Sequence, residues 1–307
     1  MNYDNGNQRQ RWAILLAGGE GKRLSALTRQ ITGDATPKQF CPVIGNRSLI
    51  EQTLQRVSLA IEEEQILTSV TRSHERFYRP ILAATPQHTL IVQPENRGTA
   101  PAIIYALFRL AELASDARVA LFPCDHFVRD DRGFMRHVEL AFDAIDRRPE
   151  LTILLGIAAD RPETGYGWIE PGQVVADGPV FEVRRFWEKP RAGVATELLG
   201  RGCLWNSFVM VGRLSTLLGL FIIALPDLYA AFKKIQPTLG TASEHKTVER
   251  LYRDLRNANF SDEVLARYPV NLAVLPVRDV EWSDLGEPHR VMDTYARIGV
   301  RPKWVAA

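Results

Sequence analysis

An apolar run from Trp12 to Ala17 opens directly into Gly18-Gly19-Glu20-Gly21-Lys22-Arg23-Leu24, and Pro37-Lys38-Gln39-Phe40 follows. The run reads as a buried strand feeding a glycine turn that can wrap phosphates. Glycines let the backbone approach an anion and aim its N–H groups inward, while Arg23 and Lys38 add the positive charge a triphosphate needs. Glycine turns after strands also arise for packing alone, but packing gives no reason for two flanking cations. No Gly-Lys-Ser/Thr closes a P-loop, and the spacing is not that of a dinucleotide fingerprint. The chemistry indicated is the handling of a nucleotide.

Other residues add to this. Asp125 follows the apolar strand Val119-Ala120-Leu121-Phe122, where a carboxylate can hold Mg²⁺ against phosphate oxygens; an isolated Asp there is otherwise a loop or cap residue. Asp284, in Trp282-Ser283-Asp284-Leu285-Gly286, is a second carboxylate for the same ion. His126 reads as structural, because Mg²⁺ prefers oxygen. Lys189 can meet a phosphate and Glu188 sugar hydroxyls, or the two can form a solvated ion pair at a strand end. Asn206 offers both a donor and an acceptor for hydroxyls. Gly167 lets the backbone approach a sugar ring or simply makes a turn.

These residues must be positioned by strands and helices. Ser48-Leu49-Ile50-Glu51 has capping-box spacing, and Leu49, Ile50, Thr53, Leu54, Val57 and Ile61 form a helical face. The alternation continues with a strand near Thr89 to Val92, a helix from about Pro101 to Ala114 and a strand Val119 to Phe122. A helix from about Phe134 to Ile145 and a strand Leu151 to Leu155 follow. Strands separated by helices imply a parallel sheet with helices on its faces.

The second half carries shorter β-like pieces at Gly167 to Ile169, Val180 to Trp187 and Leu204 to Val211, with turn signals at Pro171-Gly172 and Asp177-Gly178-Pro179. Leu214 to Leu225 reads as a buried helix and Pro288 to Ile298 as a terminal one, packed on the core or on a partner subunit. In open parallel sheets ligands gather at the carboxyl ends of strands, where the Gly18–Arg23, Gln93–Pro101 and Pro123–His126 segments fall.

Composition removes several classes. With 46% hydrophobic residues in 307, the chain can bury one large α/β core or a core plus a small lobe. A net charge of +2, with basic and acidic residues interspersed, argues against a nucleic-acid surface. Cys41, Cys124 and Cys203 lack metal or disulfide spacing and suit the interior of a protein in a reducing cytoplasm. Met1 to Arg11 lacks the apolar core of a signal peptide and reads as a loose tail, and no run spans a bilayer.

The motifs from Leu16-Ala17-Gly18-Gly19 through Pro37-Lys38-Gln39-Phe40, Gly98-Thr99-Ala100-Pro101-Ala102, Phe122-Pro123-Cys124-Asp125-His126, Glu188-Lys189-Pro190, Trp205-Asn206-Ser207 and Trp282-Ser283-Asp284-Leu285-Gly286 occur in the order found in one family. In these motifs the chain resembles the sugar-nucleotide pyrophosphorylases, specifically the mannose-1-phosphate guanylyltransferases. The resemblance implies a Rossmann-like, glycosyltransferase-A-type fold: a mostly parallel mixed sheet flanked by helices, with a small sugar-binding lobe. It also implies conversion of GTP and mannose 1-phosphate into GDP-mannose and pyrophosphate, with Mg²⁺ as cofactor.

By the same resemblance Arg23 and Lys38 hold the triphosphate, and Asp125 and Asp284 hold the metal. Gly18, Gly19, Gln93, Gly98 and Thr99 border the nucleotide together with the turn at Gly21, while Gly167, Glu188, Lys189 and Asn206 face the sugar phosphate. A homodimer is the implied assembly. The expected catalytic domain is 12–290, with 291–307 a short extension and no appended isomerase or β-helix domain.

The chain departs from the family at two places. Many guanylyltransferases carry Arg-Asn-Thr-Ala-Pro-Ala where this chain has Arg97-Gly98-Thr99-Ala100-Pro101-Ala102, without the amide side chain. The Ser-Ile-Asp pattern of the family is replaced by Asn259-Phe260-Ser261-Asp262-Glu263. Another nucleotide or hexose 1-phosphate, a glycosyltransferase using a ready-made nucleotide sugar, and a non-catalytic sugar-nucleotide-binding regulator remain as alternatives.

Overall fold

The structure, a computed structural model, describes residues 10–175, 178–302 and 304. Most of the expected tail Met1–Arg11, and Asp177 of the expected turn, lie outside them. The first strand, β1 (Arg11–Ala17), shows why an all-apolar run is needed here: Ala13, Leu15 and Ala17 enter the core on one face of the sheet and Ile14 enters the core on the other. A period-2 backbone buried on both faces cannot alternate with polar residues.

The chain continues through α1 (Ser25–Thr32), α2 (Leu49–Val57), β2 (Ile66–Thr71), α3 (Glu75–Ile81), β3 (Leu90–Gln93), α4 (Thr99–Leu113), β4 (Arg118–Pro123), β5 (Phe127–Val128), α5 (Asp131–Arg147) and β6 (Thr152–Ala158). It then forms β7 (Gly167–Val174), β8 (Phe181–Glu188), α6 (Ala192–Gly200), β9 (Leu204–Arg213), α7 (Leu214–Ala224), α8 (Pro226–Ile235), α9 (Glu244–Asp254), β10 (Leu272–Val277), β11 (Trp282–Ser283) and α10 (Pro288–Ile298). Among the described residues the main sheet has nine strands, in the order β3-β2-β1-β4-β9-β6-β10-β8-β7. Strands β8 and β9 run against the other seven, so the sheet is mixed: parallel from β3 through β4 and between β6 and β10, antiparallel elsewhere. Helices α2 and α5 cover one face with Ile50, Val57, Phe134, Val138 and Phe142. Ile103, Ile104 and Leu107 of α4, with Leu217 and Phe221 of α7, cover the other.

Several local expectations hold in detail. Ser48 caps α2, its N–H donating to Glu51 Oε2 at 2.8 Å to close the capping box. Helix α4 begins at Thr99, which puts Pro101 in the first turn, where its missing N–H removes no bond. Helix α5 begins before Phe134 because Asp130 accepts the Gly133 N–H at 2.9 Å. Cys41, Cys124 and Cys203 are free and buried.

Two expectations are corrected, and one strand was not expected. Pro171-Gly172 does not end its strand: β7 runs on to Val174 as the sheet edge, taking up Pro171 through register shifts. Helix α7 is not buried throughout, since Ile222 and Ile223 are 50% and 61% exposed on its outer side. Strand β2 carried no sequence signal because Thr68, Ser69 and Thr71 stand among its apolar residues, yet all six residues are buried between β1 and β3.

Helix α10 packs on the core. Val291 and Tyr295 are buried with Leu24, Cys41, Val43 and Ile44, and Tyr295 Oη donates to the Val43 carbonyl at 3.0 Å. The boundary expected at 290 therefore falls inside a helix that supports the segment after the glycine turn. Among the described residues no helix is long and apolar enough to cross a membrane.

Candidate active site

One cavity of about 420 Å³ lies over the carboxyl ends of β1, β3 and β4. Gly18, Gly19, Arg23 and Lys38 line it from the first turn, Gln93, Gly98 and Thr99 from the second, and Asp125 from the third. Asp284 joins Asp125 there, while Gly167, Glu188, Lys189 and Asn206 close the opposite side. Gly21 is the exception among the expected residues: it lies outside the lining. Its φ of +62° turns the chain, and a Cβ there would stand 3.0 Å from the Lys38 backbone nitrogen. Gly21 thus shapes the loop on which Lys38 rests.

Lys38 is buried, and its Nζ lies 2.9 Å from Asp125 Oδ2 and 2.5 Å from the Asp284 backbone oxygen. Two strand ends are drawn together by the short antiparallel ribbon of β5 and β11, where Ser283 pairs with Phe127 and Trp282 with Val128. That ribbon places Asp284 beside Asp125. Burial pushes the Asp125 carboxyl up, but Lys38 and then His126 outweigh it and hold the pKa below the ordinary value. Asp284 is likewise held low, with Lys38 and Arg290 overcoming its burial. His126 is pushed down mainly by burial and packs edge-on to Trp282, as a structural histidine does.

The carboxylates suit a hard cation by donor type: Asp125 and Asp284 both line the cavity into which phosphate oxygens would enter. Among the described residues, however, no three or more His, Cys, Asp or Glu side chains group as a ready metal cage. A Mg²⁺ held by these two carboxylates would take its remaining ligands from other oxygens.

On the opposite side, β9 carries Asn206 through an irregular register with β6. Ser207 Oγ donates to the Leu155 carbonyl at 2.6 Å and accepts from the Val209 N–H, while Phe208 takes φ +61° and donates its N–H to Asn206 Oδ1 at 3.0 Å. The bulge turns both Asn206 and Phe208 to the cavity. Lys189 Nζ meets Glu188 Oε1 at 2.7 Å, the ion pair that the sequence allowed. Arg23, exposed, pairs with Glu287 Oε1 at 2.7 Å.

Sequence reasoning placed the loop of Asn96 at the pocket and Tyr166 beside Gly167, but it missed Phe208 and gave Asn259 and Ser261 only as a departure from the family pattern, not as cavity residues. Asn96 Oδ1 accepts the Gly98 N–H at 2.8 Å and its Nδ2 reaches the Gly18 carbonyl at 3.4 Å. The segment of Asn259 runs against the Gly98 turn: Ala258 N–H donates to the Arg97 carbonyl, Ala100 N–H to the Ala258 carbonyl, and Phe260 N–H to Thr99 Oγ1. Gly98 has φ +90° and ψ −178°, and a Cβ would fall 2.4 Å from the Ala258 oxygen. The two departures from the family pattern are therefore in contact. Arg290 was also missed; no motif contained it.

The sequence matches the nucleotidyl transferase family over residues 12–298, and the chain belongs to that family. It is 32% identical over 220 residues to the alginate biosynthesis protein AlgA of Pseudomonas syringae pv. tomato, covering 70% of this chain and 44% of that protein. It is 28% identical over 279 residues to a putative mannose-1-phosphate guanylyltransferase of Vibrio cholerae, covering 89% of this chain and 58% of that one. The chain thus spans about half the length of the curated relatives it matches. Among solved structures, a mannose-1-phosphate geranyltransferase from Thermus thermophilus superposes with a TM-score of 0.78 at 28% identity, over 90% of this chain and 76% of that one.

Proposed function

We propose that this chain is a sugar-1-phosphate nucleotidyltransferase that makes GDP-mannose and pyrophosphate from GTP and α-D-mannose 1-phosphate. The observation that carries the reading is the facing of two sets across one cavity. Gly18, Gly19, Arg23, Lys38 and Asp125 form an anion-binding side, and Glu188, Lys189 and Asn206 form a side with hydroxyl and phosphate partners. The mannose part draws on the similarity to the Vibrio protein of that name.

A sugar phosphate is an anionic nucleophile at neutral pH, so attack on the α-phosphorus requires no general base. It requires two anions held in line with their repulsion offset. Lys38 and Arg23 bind the triphosphate and the leaving pyrophosphate. Lys189 holds the sugar phosphate, and Glu188 and Asn206 orient its hydroxyls, with Gly167 beneath the ring. Gln93, Gly98 and Thr99 border the base and ribose. Mg²⁺, when bound, withdraws charge from the phosphate oxygens, with Asp125 and Asp284 as its protein carboxylates. The unit that carries this chemistry includes α10 and so runs on past residue 290, over the 12–298 of the family match.

One observation favours a second base. With Gly98 in a conformation closed to an asparagine, the amide functions near the turn are those of Asn96 and Asn259, which is a different reader from the family's. The test is pyrophosphate release with Mg²⁺, crossing GTP, ATP, UTP and dTTP with mannose 1-phosphate and glucose 1-phosphate. Release confined to GTP with mannose 1-phosphate is expected; another productive pair keeps the mechanism and changes the substrate. Binding of GDP-mannose with no turnover would move the chain to the regulatory reading.

A further inference from the structure

The charge around the two carboxylates is already balanced. Lys38 stands against Asp125, and Arg290 Nη1 lies 2.8 Å from both Oδ1 and Oδ2 of Asp284. Arg290 is 3% exposed. Its Nη2 donates to Glu163 Oε1 at 3.1 Å, and its guanidinium lies 4.5 Å from the centroid of the Tyr166 ring. It sits in the first turn of α10, where the helix dipole disfavours a cation. A buried arginine in such a place needs anionic partners, and both Asp284 and Glu163 supply them. Burial works against its charge, yet Asp284, Tyr166 and Glu163 more than restore it.

We infer that Arg290 is a positioning residue that neutralises Asp284 and ties it to the Glu163–Tyr166 loop, so that a divalent cation enters with the nucleoside triphosphate rather than ahead of it. With Glu163, which shares Arg290, and Arg161, 3.7 Å from Glu163 Oε2, the cluster sets three carboxylates against three cations and leaves little net negative charge to strip water from a free divalent ion. The extra negative charge that draws the ion in is that of the nucleotide phosphates. Arg290 also joins the carboxylate side to the sugar side through one guanidinium, fixing Asp284 relative to Tyr166. This rests on the cavity being a nucleotide-phosphate site.

The test is titration of the full chain with Mn²⁺ alone, followed by loss of the free-ion electron paramagnetic resonance signal. Wild type is expected to leave the signal nearly unchanged without nucleotide and, when GTP is present, to retain Mn²⁺ on the protein after ultrafiltration, beyond a control of GTP and Mn²⁺ without protein. Arg290→Met, with the pair broken, is expected to bind Mn²⁺ at least tenfold more tightly without nucleotide, and Arg290→Lys to stay close to wild type. Arg290→Gln, which keeps an amide donor without the charge, serves if the Met variant does not fold.

Tight Mn²⁺ binding by wild type alone would overturn the inference. So would folded Met or Gln variants, judged by circular dichroism, that bind Mn²⁺ no better than wild type. Because the titration without nucleotide uses no sugar and no turnover, it stands apart from the pyrophosphate assay: a different productive nucleotide leaves its outcome unchanged.

Discussion

Lys38 reaches from the segment after α1 to the end of the fourth strand, placing its ammonium 2.9 Å from Asp125 Oδ2 while buried to 5% exposure. The same ammonium touches the Asp284 backbone 246 residues away along the chain. In the proposed reaction, a cation so fixed would serve the developing charge of a pyrophosphate leaving group without reorganising. Lys38→Met is therefore expected to lower kcat by about 10²–10³-fold, the scale for losing one preorganised donor. A pre-steady-state measurement of pyrophosphate release checks this, and a change confined to KM would remove Lys38 from the chemical step.

Gly98 is fixed by its backbone. Replacing it with Ala or Asn forces an L-residue into a glycine-only conformation against the Ala258 carbonyl, at a cost of about 1–3 kcal/mol. Urea unfolding is expected to show that loss for both substitutions, with Gly98→Asn no better than Gly98→Ala. An Asn variant of wild-type stability would mean that the turn relaxes freely into the family's form.

Lys189 is a non-glycine residue in the left-handed region, at φ +46°. Lys189→Gly relieves a strain of about 1 kcal/mol while deleting the ammonium. The expected outcome is a higher thermal midpoint together with a raised KM for the sugar phosphate and an unaltered KM for the nucleotide. A rise in both KM values would show that the loop, rather than the charge, is what the substitution disturbs.

His74 lies buried against the Phe40 ring, 5.9 Å away, beneath the segment that carries Lys38. Burial lowers its pKa, with Glu20 opposing, so the folded form holds fewer protons than the unfolded chain just below the ordinary value of 6.5. Its contribution to stability is complete above pH 6.5 and is lost as pH falls toward the lowered folded value. Thermal melts between about pH 7.5 and 5 are expected to show this decline, and His74→Gln to flatten it. An equal slope in the variant would assign the decline to other groups.

What could be read in the sequence is what is contiguous. The run from Trp12 into Gly18-Gly19 shows its strand and turn because one short segment holds all the residues involved, and α10 shows because Pro288 opens and Gly299 closes it. Asn206 could be named from its motif, but not the bulge in β9 that aims it. Asn259 and Arg290 were hidden because each acts only against a partner brought near by the sheet: Ala258 and its neighbours against the Gly98 turn, and Arg290 against Asp284 and Glu163. Strand β2 was hidden for a different reason, since its hydroxyl residues blur the apolar signal that burial on both faces ordinarily leaves.

Helix α10 holds up the turn that begins the cavity, and Arg23 meets Glu287 across 264 residues of sequence. Contacts of such separation form late, after loop closure over nearly the whole span between them. During synthesis the glycine turn would leave the ribosome long before the helix that braces it. A nascent chain stalled before residue 288 would lack the helix that packs under this turn, so on the proposed function competence to handle a triphosphate should arrive only once α10 has been made.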